Sequence, residues 1–182
     1  MHETFYKPTH GLSIAMDNIE TAKNLMAGGK YKEAGNVLNR LLQKNRDNDE
    51  LWYFLGILAV KLKNYESAHE YLERALSIRK KPEYLWFMGM TYMETLELDA
   101  AIEAFEDLLR IDSKNVNANF FLSICYLLLD DPTSERYMKK AYTLDKNKTK
   151  QLLKNFFHAF ASKSPDVKPA LKNKIKKELE NL

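Results

Sequence analysis

A small-residue pattern that returns every 33 or 34 positions constrains this chain more than any other feature. Ala34, in Tyr31-Lys32-Glu33-Ala34, is followed 34 residues on by Ala68, in Tyr65-Glu66-Ser67-Ala68. Ala101 and Ser134 come after two further steps of 33. Gly56 keeps the same beat with Gly89, with Ala22 one period before and Ser123 one period after. Tyr92 is followed by Tyr126, and Leu72 by Phe105 and Met138. A fixed period of this length marks stacked supersecondary units, none of which buries its apolar surface alone.

Within a unit the apolar spacing is helical. Trp52, Leu55, Gly56 and Ala59 follow i, i+3, i+4, i+7, Leu62-Lys63-Asn64 turns the chain, and Ala68, Leu72, Ala75, Leu76 and Ile78 form a second stripe. Each unit therefore reads as two antiparallel helices, A and B, joined by about three residues. A glycine or serine in A facing an alanine in B is expected to let the two backbones approach closely. Asp17, Asp49, Ser113 and Asp130-Asp131-Pro132 supply helix-start chemistry between segments.

Trp52-(two)-Leu55-Gly56-(two)-Ala59, then Tyr65-(two)-Ala68-(three)-Leu72-(two)-Ala75, resembles the tetratricopeptide repeat, a helix–turn–helix unit of about 34 residues. Gly89, Tyr92, Ala101 and Phe105 repeat the pattern, and Pro82 stands near the family's proline. The resemblance covers about residues 15–148, in four units starting near Ala15, Asp49, Pro82 and Val116. It implies an all-α, right-handed superhelical solenoid of antiparallel helix pairs. The expected organisation is an N-terminal extension at 1–13, helix pairs over 14–148, and capping helices over 149–182.

Stacked repeats need their open ends covered. Leu152, Leu153, Phe156, Phe157 and Phe160 form a stripe suited to covering the last unit, and Ser164-Pro165 breaks the chain. A final amphipathic helix carries Leu171, Ile175, Leu179 and Leu182 on one side, with Lys168, Lys172, Lys174, Lys176 and Lys177 mostly on the other. The simple reading is a solubilising cap; a polyanion or partner-protein contact through these lysines is the sharper one. The formal charge of +3 hides this asymmetry. From Lys146 onward ten lysines face Asp166, Glu178 and Glu180, which leaves residues 1–145 at −4. That acidic body, and the absence of aromatics among the lysines, argue against nucleic acid and anionic membrane as partners.

Nothing in the sequence supports catalysis. Gly28-Gly29-Lys30 is the A–B turn of the first unit rather than a phosphate loop, so no cofactor is expected. His69-Glu70-Tyr71-Leu72-Glu73 has a glutamate where a zinc-protease helix needs its second histidine, and no metal site is expected. His69 is expected to face solvent. Cys125, the single cysteine, sits on the stripe of the fourth helix A and reads as a small core residue. The longest apolar runs, Leu51–Val60 and Phe120–Leu129, are half the length of a membrane span. Met1–Tyr6 carries an acid and no apolar core segment, so a cytoplasmic location is expected.

What remains is surface. Beside the stripe facing helix B, each helix A carries another: Ile19 and Met26 with Lys23 between them, then Tyr53, Ile57 and Val60, then Trp86, Met90 and Met93, then Phe120, Ile124 and Leu127. In the resembling family these register positions line the concave face where peptides and helices dock. Aromatics with large burial areas and adaptable methionines suit an amphipathic helix or an extended apolar segment, with Trp86 and Tyr53 as expected anchors. The clamp by which some family members hold acidic C-terminal tails would fall on Ile19, Lys23, Phe54, Glu83 and Phe87. Only Lys23 is basic, and Glu83 has the wrong sign. The expectation is a protein-binding adaptor; the rival is self-association, with the groove filled by a second copy or by the C-terminal helix.

Overall fold

The computed structural model describes residues 17–158 together with Pro169 and Asn173. The expected N-terminal extension, Phe160, Lys168, Lys172, Lys174, Lys176 and Lys177 lie outside the described residues. Among those described, the ordered elements are helices and there are no strands. They are α1 (Ile19–Ala27), α2 (Tyr31–Lys44), α3 (Asp49–Lys61), α4 (Tyr65–Ile78), α5 (Pro82–Glu94), α6 (Leu98–Ile111), α7 (Val116–Leu128), α8 (Thr133–Leu144) and α9 (Lys146–Phe156).

The chain divides into two compact units, Met1–Arg79 and Lys80–Leu182. In the first, α1 packs against α2 and α3 against α4, and α2 stacks on α3. Ala22, Val37, Leu38, Leu51, Leu55 and Leu58 form its buried cluster. In the second, α5 packs on α6 and α7 on α8, α6 joins the pairs, and α9 lies against α7 and α8. Phe105, Phe120, Leu122, Ile124, Cys125, Leu153 and Phe156 lie at its centre.

The turn inside each pair is set by backbone chemistry. Gly29, Lys63, Leu96 and Asp130 hold positive φ angles of 73°, 57°, 61° and 58°, at successive intervals of 34, 33 and 34 residues. After each of them an N–H reaches back to a carbonyl five residues earlier: Lys30 to Leu25, Asn64 to Ala59, Glu97 to Tyr92 and Asp131 to Tyr126, at 2.8 to 2.9 Å. The left-handed residue itself bonds three back, as Lys63 N–H does to Val60 at 2.9 Å. This is the Schellman closure, which satisfies carbonyls left over at a helix end.

Four helix starts are capped by asparagines, three of them one or two residues from the expected positions and the fourth, Asn64, at the end of the expected turn. Asn18, Asn48, Asn64 and Asn115 accept from the N–H groups of Thr21, Leu51, Ser67 and Ala118, and Asp145 accepts from Lys148. Asp17, next to the true cap, instead takes two bonds from Arg40 at 2.6 and 3.0 Å, clasping the chain entry to α2. The Arg40 hydrogen bond holds the Asp17 carboxyl below its ordinary value. Asp131 behaves as expected and accepts from Thr133 N–H at 2.7 Å.

The small A-helix residues meet more than the B-helix alanine. The Ala68 carbonyl oxygen lies 3.6 Å from where a Gly56 Cβ would stand, but the tightest approach is to a large side chain. A Cβ on Gly89 would stand 2.6 Å from the Phe105 ring, and one on Gly56 would stand 2.8 Å from Leu72 Cγ. The glycines thus admit the large side chain four residues beyond the B-helix alanine. The alanines Ala68 and Ala101 are fully buried one turn earlier.

Candidate functional site

The residues of the expected docking surface separate into three groups. In the first unit Ile19 and Met26 of α1 are half-buried against the Leu51–Leu55 cluster. Lys23 between them is neutralised in place. Its ammonium lies 3.6 Å from Glu20, 3.8 Å from Glu50 and 4.9 Å from the centre of the Phe54 ring. The row is therefore less basic than its sequence reads. Tyr53, Ile57 and Val60, spaced i, i+4, i+7 on α3, are half-buried and stand outside the buried cluster.

In the second unit Trp86, Met90 and Leu127 are also half-buried, each packed on the core. Trp86 is committed to that core on one side. Its ring centre is 5.6 Å from Phe105 and 5.1 Å, edge-on, from Phe121. It is a structural residue as much as an exposed anchor.

Met93, Phe120 and Ile124 correct the expectation: Met93 is 5% exposed and the other two 0%. Helix α9 is the reason for Phe120. Phe156 meets it edge-to-face at 6.5 Å, and Leu153 and Phe156 join the same core. The stripe expected to close the last pair lies on the side of α7 where Phe120 was expected to be open.

Two isolated residues also settle. Cys125 is fully buried, and burial pushes its thiol up to about 12. Any stability linked to this neutral thiol is present below its unfolded value near 9 and is lost as pH rises toward about 12. A group so placed is not a thiolate nucleophile at neutral pH. His69 is half-buried rather than solvent-facing. It directly follows the fully buried Ala68, and one residue turns a helix by only about 100°, which keeps it beside the packed face. Among the described residues no helix is long and apolar enough to cross a membrane, and no three His, Cys, Asp or Glu side chains converge as metal ligands would.

Consecutive helix pairs, each closed by the same left-handed turn, with small-to-large contacts inside the pairs α3–α4 and α5–α6, define an α-helical repeat protein of the solenoid class. Tetratricopeptide repeat profiles match residues 25–86 and 82–115, and the chain belongs to the tetratricopeptide repeat family. Among curated relatives, the TPR repeat-containing protein MJ1428 of Methanocaldococcus jannaschii is 24% identical over 60% of this chain and 19% of its own. The BBSome complex member BBS4 of Mus musculus is 28% identical over 61% of this chain and 22% of its own. The chain thus spans about a fifth of the length of these relatives. Among solved structures, MamA superposes with a TM-score of 0.65 at 24% identity, covering 74% of this chain and 76% of that one. YrrB, described as a TPR protein with an unusual peptide-binding site, gives 0.65 at 14% identity, covering 92% and 87%. At such identities the likeness is one of fold.

Proposed function

We propose that the chain is a non-enzymatic protein-binding adaptor of the cytoplasm. It docks an amphipathic helix or extended apolar segment of a partner protein on the A-helix face of its first unit. The observation that carries this reading is the row Tyr53, Ile57 and Val60. Three large apolar side chains share one helical face of α3 and stay half-buried, and Ile19 and Met26 of α1 are half-buried in the same unit. A face of this kind gains from removal from water, by roughly 25 cal/mol for each Å² of apolar surface covered. Its lone lysine is already paired with Glu20 and Glu50, so little charge opposes an apolar ligand. Family membership supports the adaptor role, and the buried, raised thiol of Cys125 removes the one cysteine as a nucleophile.

The test is binding of a panel of labelled amphipathic leucine- and phenylalanine-bearing peptides to wild type and to Ile57→Glu. A charge placed in the row should weaken the best peptide by about 2 kcal/mol or more, roughly thirtyfold. Circular dichroism should show both proteins folded at the assay temperature, so that the loss is read as one of binding. Equal affinity of the two proteins for every peptide bound would overturn the reading. Sedimentation of both proteins tests the self-association rival, in which Ile57→Glu disperses an oligomer instead.

A further inference from the structure

The second unit carries an open cleft of about 480 Å³ between α6 and α8, lined by Glu106, Leu109, Arg110, Arg136, Tyr137 and Lys140. Three of these six are cations and one is an acid, in a body whose residues 1–145 total −4. The sign is reversed locally by the repeat itself. One period earlier, Arg136 and Lys140 correspond to Glu103 and Asp107 on α6.

The acidic neighbours are engaged. The Tyr137 hydroxyl donates to Glu106 Oε1 at 3.4 Å, and Asp107 is shared between Arg110 and Lys80, the latter at 3.6 Å. Arg136 and Lys140 form no ion pair among the described residues. The Arg136 guanidinium lies 4.8 Å from the centre of the Tyr137 ring, and Tyr137 stacks at 5.6 Å and 4° on Tyr126. The guanidinium is thereby oriented on a rigid base instead of being free on a long side chain. Leu109 offers a half-buried apolar patch beside the two cations.

We propose that this cleft is a second docking site, on the B helices, for a short acidic segment of a partner protein in which carboxylates flank an aliphatic or aromatic residue. The carboxylates pair with Arg136 and Lys140, and the apolar side chain rests on half-buried Leu109. Arginine suits a carboxylate because its planar donors match the two oxygens. Spaced carboxylates avoid Glu106, the one acid of the lining, which a continuous polyanion would meet. The chain's own ends do not fit: residues 1–16 hold one acid, Glu3, and the segment from Lys146 is lysine-rich.

The experiment compares full-length wild type with Arg136→Glu/Lys140→Glu, using a labelled peptide of glutamates flanking leucine and its glutamine counterpart. Both substituted residues are exposed, so the variant should stay folded, which circular dichroism at the assay temperature checks. Wild type should bind the glutamate peptide about tenfold or more tightly than the glutamine one. The variant should lose that preference, and the affinity of wild type should fall as salt rises. Ile57→Glu should leave this binding unchanged, which separates the cleft from the A-helix face. The lysines beyond 146 are present in both proteins, so equal binding by wild type and variant assigns the effect to them and overturns the proposal. Tighter binding of inorganic polyphosphate than of the glutamate peptide overturns it in favour of a polyanion site. A wild-type oligomer in sedimentation that the variant lacks overturns it in favour of a second copy.

Discussion

Leu96 holds a φ of 61° while 59% of its surface stays in water. For an L-residue with a γ-branched side chain the left-handed region is unfavourable by about 1–2 kcal/mol, and no burial compensates here. The equivalent turn of the first pair uses Gly29 at φ 73°, which adopts that region without penalty. Leu96→Gly should therefore stabilise the protein, by about 1 kcal/mol after the larger entropy of the unfolded glycine is subtracted. Chemical denaturation checks this: the midpoint should rise with an unchanged slope, whereas Leu96→Ala, which retains a Cβ, should give no such gain. Cys125 lends itself to a second measurement. With its thiol buried and pushed up to about 12, it should resist an aromatic disulfide reagent at pH 8 in the folded protein and react promptly once denaturant is added. The burial of Cys125 was legible from its place on the α7 stripe, whereas the state of Leu96 is not written in its immediate neighbours along the chain. The left-handed turn is legible only by aligning positions 29, 63, 96 and 130.

Helix α9 performs the function that the stripe Leu152, Leu153, Phe156, Phe157 implied, and in doing so it removes residues assigned to the docking surface. Leu153 and Phe156 are buried, and Phe156 covers Phe120. The sequence stripe stated what α9 presents but not which side of α7 it covers, since that depends on the path of the chain after Asp145. Helix starts show a similar gap. Asp17, Asp49 and Ser113 lie within two residues of Asn18, Asn48 and Asn115, and all these residue types can cap. Only backbone geometry chooses among them. Phe156→Ala should destabilise the second unit by about 3 kcal/mol, the scale for emptying a buried aromatic site. Amide exchange should accelerate in α7, α8 and α9. The same acceleration spread evenly over α1 to α4 would show that the closing role of Phe156 is not confined to its own unit.

Over the whole molecule, periodicity carried most of the fold. Repeated positions such as Gly56 and Gly89 located the helix pairs, because a two-helix unit has few ways to bury one face. The interaction surfaces were less legible. Tyr53, Ile57 and Val60 were marked by register alone, while the α6–α8 cleft needs side chains from helices separated by a third, and its cations Arg110, Arg136 and Lys140 look like ordinary surface charge in sequence. Stacked repeats make contacts mainly between neighbours, so a local defect should be felt locally. Gly89 provides the test. Its missing Cβ leaves room for the Phe105 ring, which is fully buried and wedged against Trp86 and Phe121, so it has nowhere to yield. Gly89→Ala gains helix propensity worth about 1 kcal/mol, yet overpacking at so close an approach should outweigh it and leave a net loss of about 1–2 kcal/mol. Amide protection should drop first in α5, α6 and α7, with α1 and α2 close to wild type. Uniform loss of protection in all helices would mean that the chain opens as one cooperative body, and a gain in stability would mean that the Phe105 ring has a second place to go.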